Sequence, residues 1–188
     1  MKLNLGCSDD HKAGYVNVDR VEPADEVVDL NYPWPWGNSS VDEIYAHDVF
    51  EHISSPYARG REGKIWAMNE AHRVLKPGGI LDLAVPCVSL LDGTVNPGAF
   101  ADPTHASFWT WDDIFYFSEQ FNTRAGERGR LGPAYGITAL FRAPRMERDD
   151  RAGWFVAGHN KGLAWFIRQT GHGQERRAKI IARLEAVK

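Results

Sequence analysis

Leu3-Asn4-Leu5 runs into Gly6-Cys7-Ser8, and with nine residues between Gly6 and Val16 a second apolar run, Val16-Asn17-Val18, ends on Asp19. A short apolar strand that breaks into glycine lets backbone approach a ligand closely, because glycine lacks a Cβ and tolerates positive φ. A carboxylate at the end of the next parallel strand can accept both hydroxyls of a ribose. The first twenty residues therefore predict an α/β domain that holds an adenosine-type cofactor over Gly6 and against Asp19.

The loop between these strands narrows the choice of cofactor. A dinucleotide site uses a G-x-G-x-x-G turn leading into a helix whose N-terminus faces a pyrophosphate. Here Gly6 stands alone, and the connection to Val16 is too short for an ordinary crossover helix with its turns. Asp9 and Asp10 would also repel a pyrophosphate. S-adenosylmethionine (SAM) fits better, since its sulfonium and ammonium groups tolerate acids; an NAD(P)-linked oxidoreductase is disfavoured.

With 188 residues the chain makes one domain with a sizeable core. Cys7 and Cys87 follow different predicted strands, so no disulfide is expected and a reducing, cytoplasmic setting is the default. Neither a basic-apolar leader nor an apolar run near the ~18 residues of a membrane span is present, and no membrane association is expected. A net charge of −3 and a pI near 6.2 argue against indiscriminate nucleic-acid binding. Arginines crowd one stretch, at Arg124, Arg128, Arg130, Arg142, Arg145, Arg148 and Arg151. They read either as solvated charges or as a rim that attracts a phosphorylated or otherwise anionic acceptor.

Further along, residues 25–30 predict a short third strand, with Asp29 a candidate for the adenine amino group. Pro33-Trp34-Pro35-Trp36-Gly37-Asn38 predicts a rigid aromatic turn. A fourth strand over 41–46 delivers His47-Asp48-Val49-Phe50-Glu51-His52. Ile65, Met68, His72 and Leu75 mark one face of a helix over 61–76, stopped by Lys76-Pro77-Gly78-Gly79, and residues 80–86 form a fifth strand. Thr110 precedes a helix to Phe121, with Asp112 and Asp113 in its first turn. Residues 137–142, 154–157 and 163–168 predict strands, the last two joined by a turn over 158–162, so an antiparallel hairpin closes the sheet. Ile180, Ile181 and Leu184 among basic residues predict an amphipathic C-terminal helix over 173–188. The expected architecture is a Rossmann-like, mostly parallel sheet with helices on both faces and a shortened first crossover.

As an ordered set, LNLGCSDD, VNVDR, VVDLN, the Pro-Trp turn, VDEIYAHDVFEHI, EAHRVLKPGGILDLAVP and DPTHASFWT resemble the class I SAM-dependent methyltransferases, in particular the small branch called methyltransferase type 11. The resemblance is dense over residues 3–86, weaker over 102–121 and faint beyond. It implies that Gly6, Cys7 and Ser8 line the methionine part of SAM and that Asp19 holds the ribose. It also implies that Asp29 and Leu30 flank the adenine, and that His47, Asp48 and Val49 close the pocket beneath the sulfonium. Two departures stand out: Ser8 occupies a position where the family commonly has a second glycine, and a full helix is missing between the first two strands. They support an alternative reading, a catalytically degenerate protein that keeps the fold as a binding or assembly module.

Methyl transfer from a sulfonium is an in-line displacement with a neutral leaving group, so alignment matters more than acid catalysis. A hydroxyl acceptor needs a base; an amine needs much less. His105 in Asp102-Pro103-Thr104-His105 is the candidate base or acceptor-orienting residue, against the alternative that Asp102 and His105 only bond within a turn. Asp102, His105 and Trp109 are the candidate acceptor contacts. The acceptor is expected to be a small or glycan-like molecule methylated on oxygen or nitrogen, under a lid over 89–130, with a homo-oligomer as one arrangement. Cys7 reads as a loop residue rather than a nucleophile. His72 reads as a satisfied core residue, and His52 as a polar group bonded to backbone. His47, Asp48, Glu51 and His52 lack a recognised metal-ligand spacing, and no metal is expected.

Overall fold

A computed structural model describes residues 1–55, 63–89, 95–119, 134–142, 154–155, 165–172 and 175–188. Its strands are β1 (Lys2–Leu5), β2 (Val16–Asp19), β3 (Glu26–Val27), β4 (Val41–His47), β5 (Leu75–Pro86), β6 (Phe141–Arg142), β7 (Trp154–Phe155), β8 (Trp165–His172) and β9 (Glu175–Ala186). They form one sheet in the order β3-β2-β1-β4-β5-β9-β8-β7, with β6 pairing β9. Pairings among β1 to β5 are parallel, and those of β6 to β9 are antiparallel. The mixed Rossmann-like sheet expected from the sequence is present. Leu3, Asn4 and Leu5 are all buried, the mark of a central strand covered on both faces.

A buried amide network takes the place of a helix in the shortened first crossover. Asn4 donates to the Asp10 carbonyl at 2.7 Å and to Asn17 Oδ1 at 2.9 Å, and Asn17 Oδ1 also accepts the Lys12 N–H at 2.8 Å. The Asn17 backbone and side-chain N–H groups both reach Asp25 Oδ2 at 2.8 Å. Two side chains on adjacent strands thus organise the loop that a longer chain would fix with a helix.

Helix α1 (Gly63–Val74) buries Ala67, Met68, Ala71 and Val74 and leaves Ile65 and His72 half-buried, so its inner stripe lies beside the one predicted. Its first residue must be small: a Cβ on Gly63 would lie 1.6 Å from the Ile53 carbonyl oxygen. After Val74 the chain pairs Leu75 with Val41, shifts register through Lys76–Gly79 and resumes at Ile80 opposite Glu43. The segment Asp29–Trp36 is fastened behind α1. Trp34 and Trp36 are buried, and Arg73 donates to both of their carbonyls, at 3.0 and 2.9 Å, while pairing with Glu70 at 2.7 Å.

Two expectations change. The C-terminal segment is strand β9, not a helix. Ile180, Ala182, Leu184 and Ala186 are all buried, a period of two that seats them on the sheet core, and residues Lys179–Glu185 pair with β5. Within the segment expected as a lid, Trp109, Ile114 and Phe117 are buried in the main cluster. The helix expected after Thr110 is the short α2 (Trp111–Phe115), started by a capping box between Thr110 and Asp113. The turn over 158–162 and all the arginines noted above except Arg142 fall outside the described residues; Arg142 pairs with Glu119 at 3.0 Å. No described helix is long and apolar enough to cross a membrane.

Candidate functional site

The strand order reverses direction at β1, which lies between β2 and β4. In open α/β sheets a crevice forms beyond the carboxyl ends of the strands at such a switch point. Gly6 follows β1, and Asp48 and Val49 follow β4. Gly6 has φ +63°, and a Cβ there would meet Val49 Cγ2 at 2.3 Å. The glycine therefore serves both the turn and the close approach of the two strand ends. Ser8 and Asp48 take the left-handed conformation as well, at φ +43° and +56°.

A cavity of about 380 Å³ opens at this point, lined by Gly6, Ser8, Asp19, Asp29, Leu30, Asp48 and Val49 among others. Asp19 is fixed from behind: the Ser8 N–H donates to Oδ2 at 3.0 Å, and those of Arg20 and Val21 to Oδ1 at 2.7 and 3.3 Å. Asp29 accepts the Asn31 backbone and side-chain N–H at 3.0 and 2.8 Å. The Leu30 carbonyl takes both the Trp34 and Trp66 indole N–H, at 3.2 and 3.1 Å. Seven of the nine residues named for the cofactor line this cavity. Cys7 and His47 do not. Cys7 is 2% exposed, and burial first, then Asp19, pushes its thiol up, which opposes a nucleophilic role. His47 stacks on Tyr45 and pairs with Asp82 at 2.9 Å.

A second cavity, about 550 Å³, adjoins the first through the shared residues Asp48 and His52, and its lining includes Glu51, Asn96, Asp102, His105 and Lys179. Lys179 of β9 forms an ion pair with Asp48. The 3-10 turn Phe50–His52 and the segment around His105 are brought together by the Glu51 carbonyl, which accepts the Ala106 and Ser107 N–H groups at 2.7 and 3.0 Å. Two of the three residues named for the acceptor, Asp102 and His105, are here. Trp109 is fully buried and offers no ring face to a ligand, whereas Phe100 and Phe108, stacked on each other, are both exposed.

Asp102 and His105 are both held by hydrogen bonds within their own segment. Asp102 Oδ1 accepts the Thr104 N–H and hydroxyl at 2.8 and 2.6 Å, which hold its carboxyl below the usual range. The His105 ring faces elsewhere: Nδ1 donates to the Ala99 carbonyl at 2.7 Å. His52 Nδ1 contacts Thr104 Oγ1 at 3.0 Å and the Thr104 carbonyl at 3.3 Å. Glu51 is 1% exposed, and neither carboxylate oxygen has a hydrogen-bond partner among the described residues. Burial pushes its carboxyl up to about 8. Sequence reading left this group unused, because its signal is the pairing of residues more than fifty positions apart.

No family model matches the chain, and no curated protein matches it. Solved structures do. A SAM-dependent methyltransferase from Methanosarcina mazei superimposes with TM-score 0.56 at 14% identity, covering 99% of this chain and 92% of its own. One from Archaeoglobus fulgidus gives 0.51 at 12%, covering 98% and 85%, and a Bacillus halodurans protein gives 0.56 at 12%, covering 100% and 92%. The chain has the fold of the class I SAM-dependent methyltransferases. At these identities the likeness is one of fold, and the site itself has to carry the chemistry.

Proposed function

We propose that the protein is a SAM-dependent methyltransferase that binds the cofactor in the first cavity and a small acceptor in the second. The observation that carries this is the Gly6–Asp19 cradle: a turn with no room for a Cβ, beside a carboxylate held by three backbone N–H groups. Asp19 takes the ribose hydroxyls, Asp29 and Leu30 flank the adenine, and Ser8 and Asp48 face the methionine end. When bound, SAM supplies a methyl group on a sulfonium. The shared wall of Asp48 and His52 places that end beside the acceptor cavity, and His105 Nε2 is free to accept a hydrogen bond from an acceptor hydroxyl or amine.

Asp48, Glu51 and Asp102 in that cavity face a single described cation, Lys179, which already pairs with Asp48. This balance favours a hydroxylated, glycan-like or amine acceptor and disfavours a phosphorylated one. The strained Ser8 backbone supports the second reading, a non-catalytic binding module; stoichiometric SAM binding without turnover across an acceptor screen would select it.

The test is calorimetric titration with SAM, S-adenosylhomocysteine and NAD. Micromolar binding of the first two, none of NAD, and loss in Asp19→Ala are expected. Absence of SAM binding by a folded protein would refute the proposal.

A further inference from the structure

Glu51, His52 and His105 each bring one ligand-competent atom to within 4.8 Å of the others, in the wall of the second cavity. Their hydrogen bonds decide which imidazole nitrogens can carry a lone pair. The Thr104 hydroxyl donates to Asp102, so at His52 it can only accept, and a carbonyl oxygen always accepts. His52 Nδ1 is therefore a donor, and in the neutral imidazole Nε2 carries the lone pair. By the same logic the Ala99 carbonyl makes His105 Nδ1 the donor and leaves Nε2 bare. Metal-binding imidazoles are held in this way, with the outer N–H on a backbone or carboxylate oxygen.

The remaining groups are acceptors too. Asp102 Oδ2 lies 4.0 Å from His105 Nε2. The two Glu51 oxygens have no donor among the described residues although the residue is 1% exposed, and the one described lysine in the lining is committed to Asp48. A buried carboxyl without a partner among the described residues, beside two imidazole nitrogens, is a group of ligands that a cation would satisfy.

We propose that Glu51, His52 and His105 form a binding site for a divalent transition-metal ion. Two imidazoles and one carboxylate suit Zn²⁺ or Mn²⁺ better than Mg²⁺ or Ca²⁺. Ligand atoms around such an ion at about 2.1 Å lie roughly 3 to 4 Å apart, so the side chains draw in by about an ångström on binding. Asp102 stands next to an open position. If the methyltransferase reading holds, an acceptor hydroxyl fills that position: the ion takes over from His105 in orienting it and lowers its pKa beside the donor cavity. The ion site itself does not depend on that reading.

The test is titration of the chelator-stripped full chain with Zn²⁺ or Mn²⁺, alongside an independent titration with S-adenosylhomocysteine. One equivalent is expected to bind, at least about tenfold more weakly in Glu51→Gln and in His105→Ala, with folding checked by circular dichroism. Pulsed electron paramagnetic resonance of Mn²⁺ on the wild type, which needs no variant, is expected to show nitrogen coupling. Absence of one-equivalent binding, equal affinity in the folded variants, Mg²⁺ competing on equal terms, or no nitrogen coupling would each overturn the proposal. Metal binding without S-adenosylhomocysteine binding would uphold the site while refuting the cofactor reading.

Discussion

Asp19 and Glu51 sit in adjoining cavities, in opposite conditions. Asp19 is half-buried and accepts the backbone N–H groups of Ser8, Arg20 and Val21; Glu51 is 1% exposed and its carboxyl accepts none among the described residues. The first cavity is complete before anything binds, in the way preorganised sites limit the cost of ordering on association. The second contains a buried carboxyl that has no hydrogen-bond partner among the described residues. Two carboxyl groups on one edge of the sheet are thus held in different ways.

That contrast can be broken or sharpened by substitution. The largest expected effect is on the second side: Trp109→Ala removes a fully buried indole from the core and should lower unfolding stability by about 3–5 kcal/mol in chemical denaturation. A change under about 1 kcal/mol would restore Trp109 as a detachable part of a lid. Next, Asp19→Ala removes two hydrogen bonds to a charged acceptor, each about 1.5–3 kcal/mol, and should weaken S-adenosylhomocysteine about a hundredfold or more, read by calorimetry. Asn17→Ala is expected to cost about 1–3 kcal/mol of stability, because it takes the acceptor from one Asn4 amide bond and from the Lys12 N–H. Since the same loop carries Ser8, it should weaken the cofactor as well; unchanged affinity would separate the amide network from the cradle.

The smallest effect is a pH dependence. Burial holds the His72 imidazole below its ordinary value, and Nε2 lies 2.8 Å from the Val187 carbonyl. The unfolded chain then binds the proton more readily than the folded one. This contribution is intact above the ordinary imidazole pKa and is lost as pH falls through the depressed one. Thermal melts across this range should show a decline that His72→Gln flattens, and an unchanged slope would count against it.

What could be read from sequence follows the range of the interactions involved. Gly6, Asp19 and the parallel strands through Pro86 are announced by local patterns, and the structure has them. The tail misleads because Ile180, Ile181 and Leu184 satisfy helical spacing, while the alternation that decides the matter runs through Ala182 and Ala186, which carry little hydrophobic signal. Asn4 and Asn17 look like interruptions in apolar strands until their shared hydrogen bonds are seen. Glu51 acquires meaning only when the chain returns with His105, and no spacing within one segment encodes that meeting.

The central claim is that two adjoining cavities divide the work of one reaction. A crystal structure with S-adenosylhomocysteine tests it most directly. The account predicts ribose hydroxyls on Asp19, adenine beside Asp29 and Leu30, and the sulfur facing the Asp48–His52 wall toward Glu51 and His105. A ligand bound away from Gly6 and Asp19, or a sulfur turned away from that wall, would contradict it.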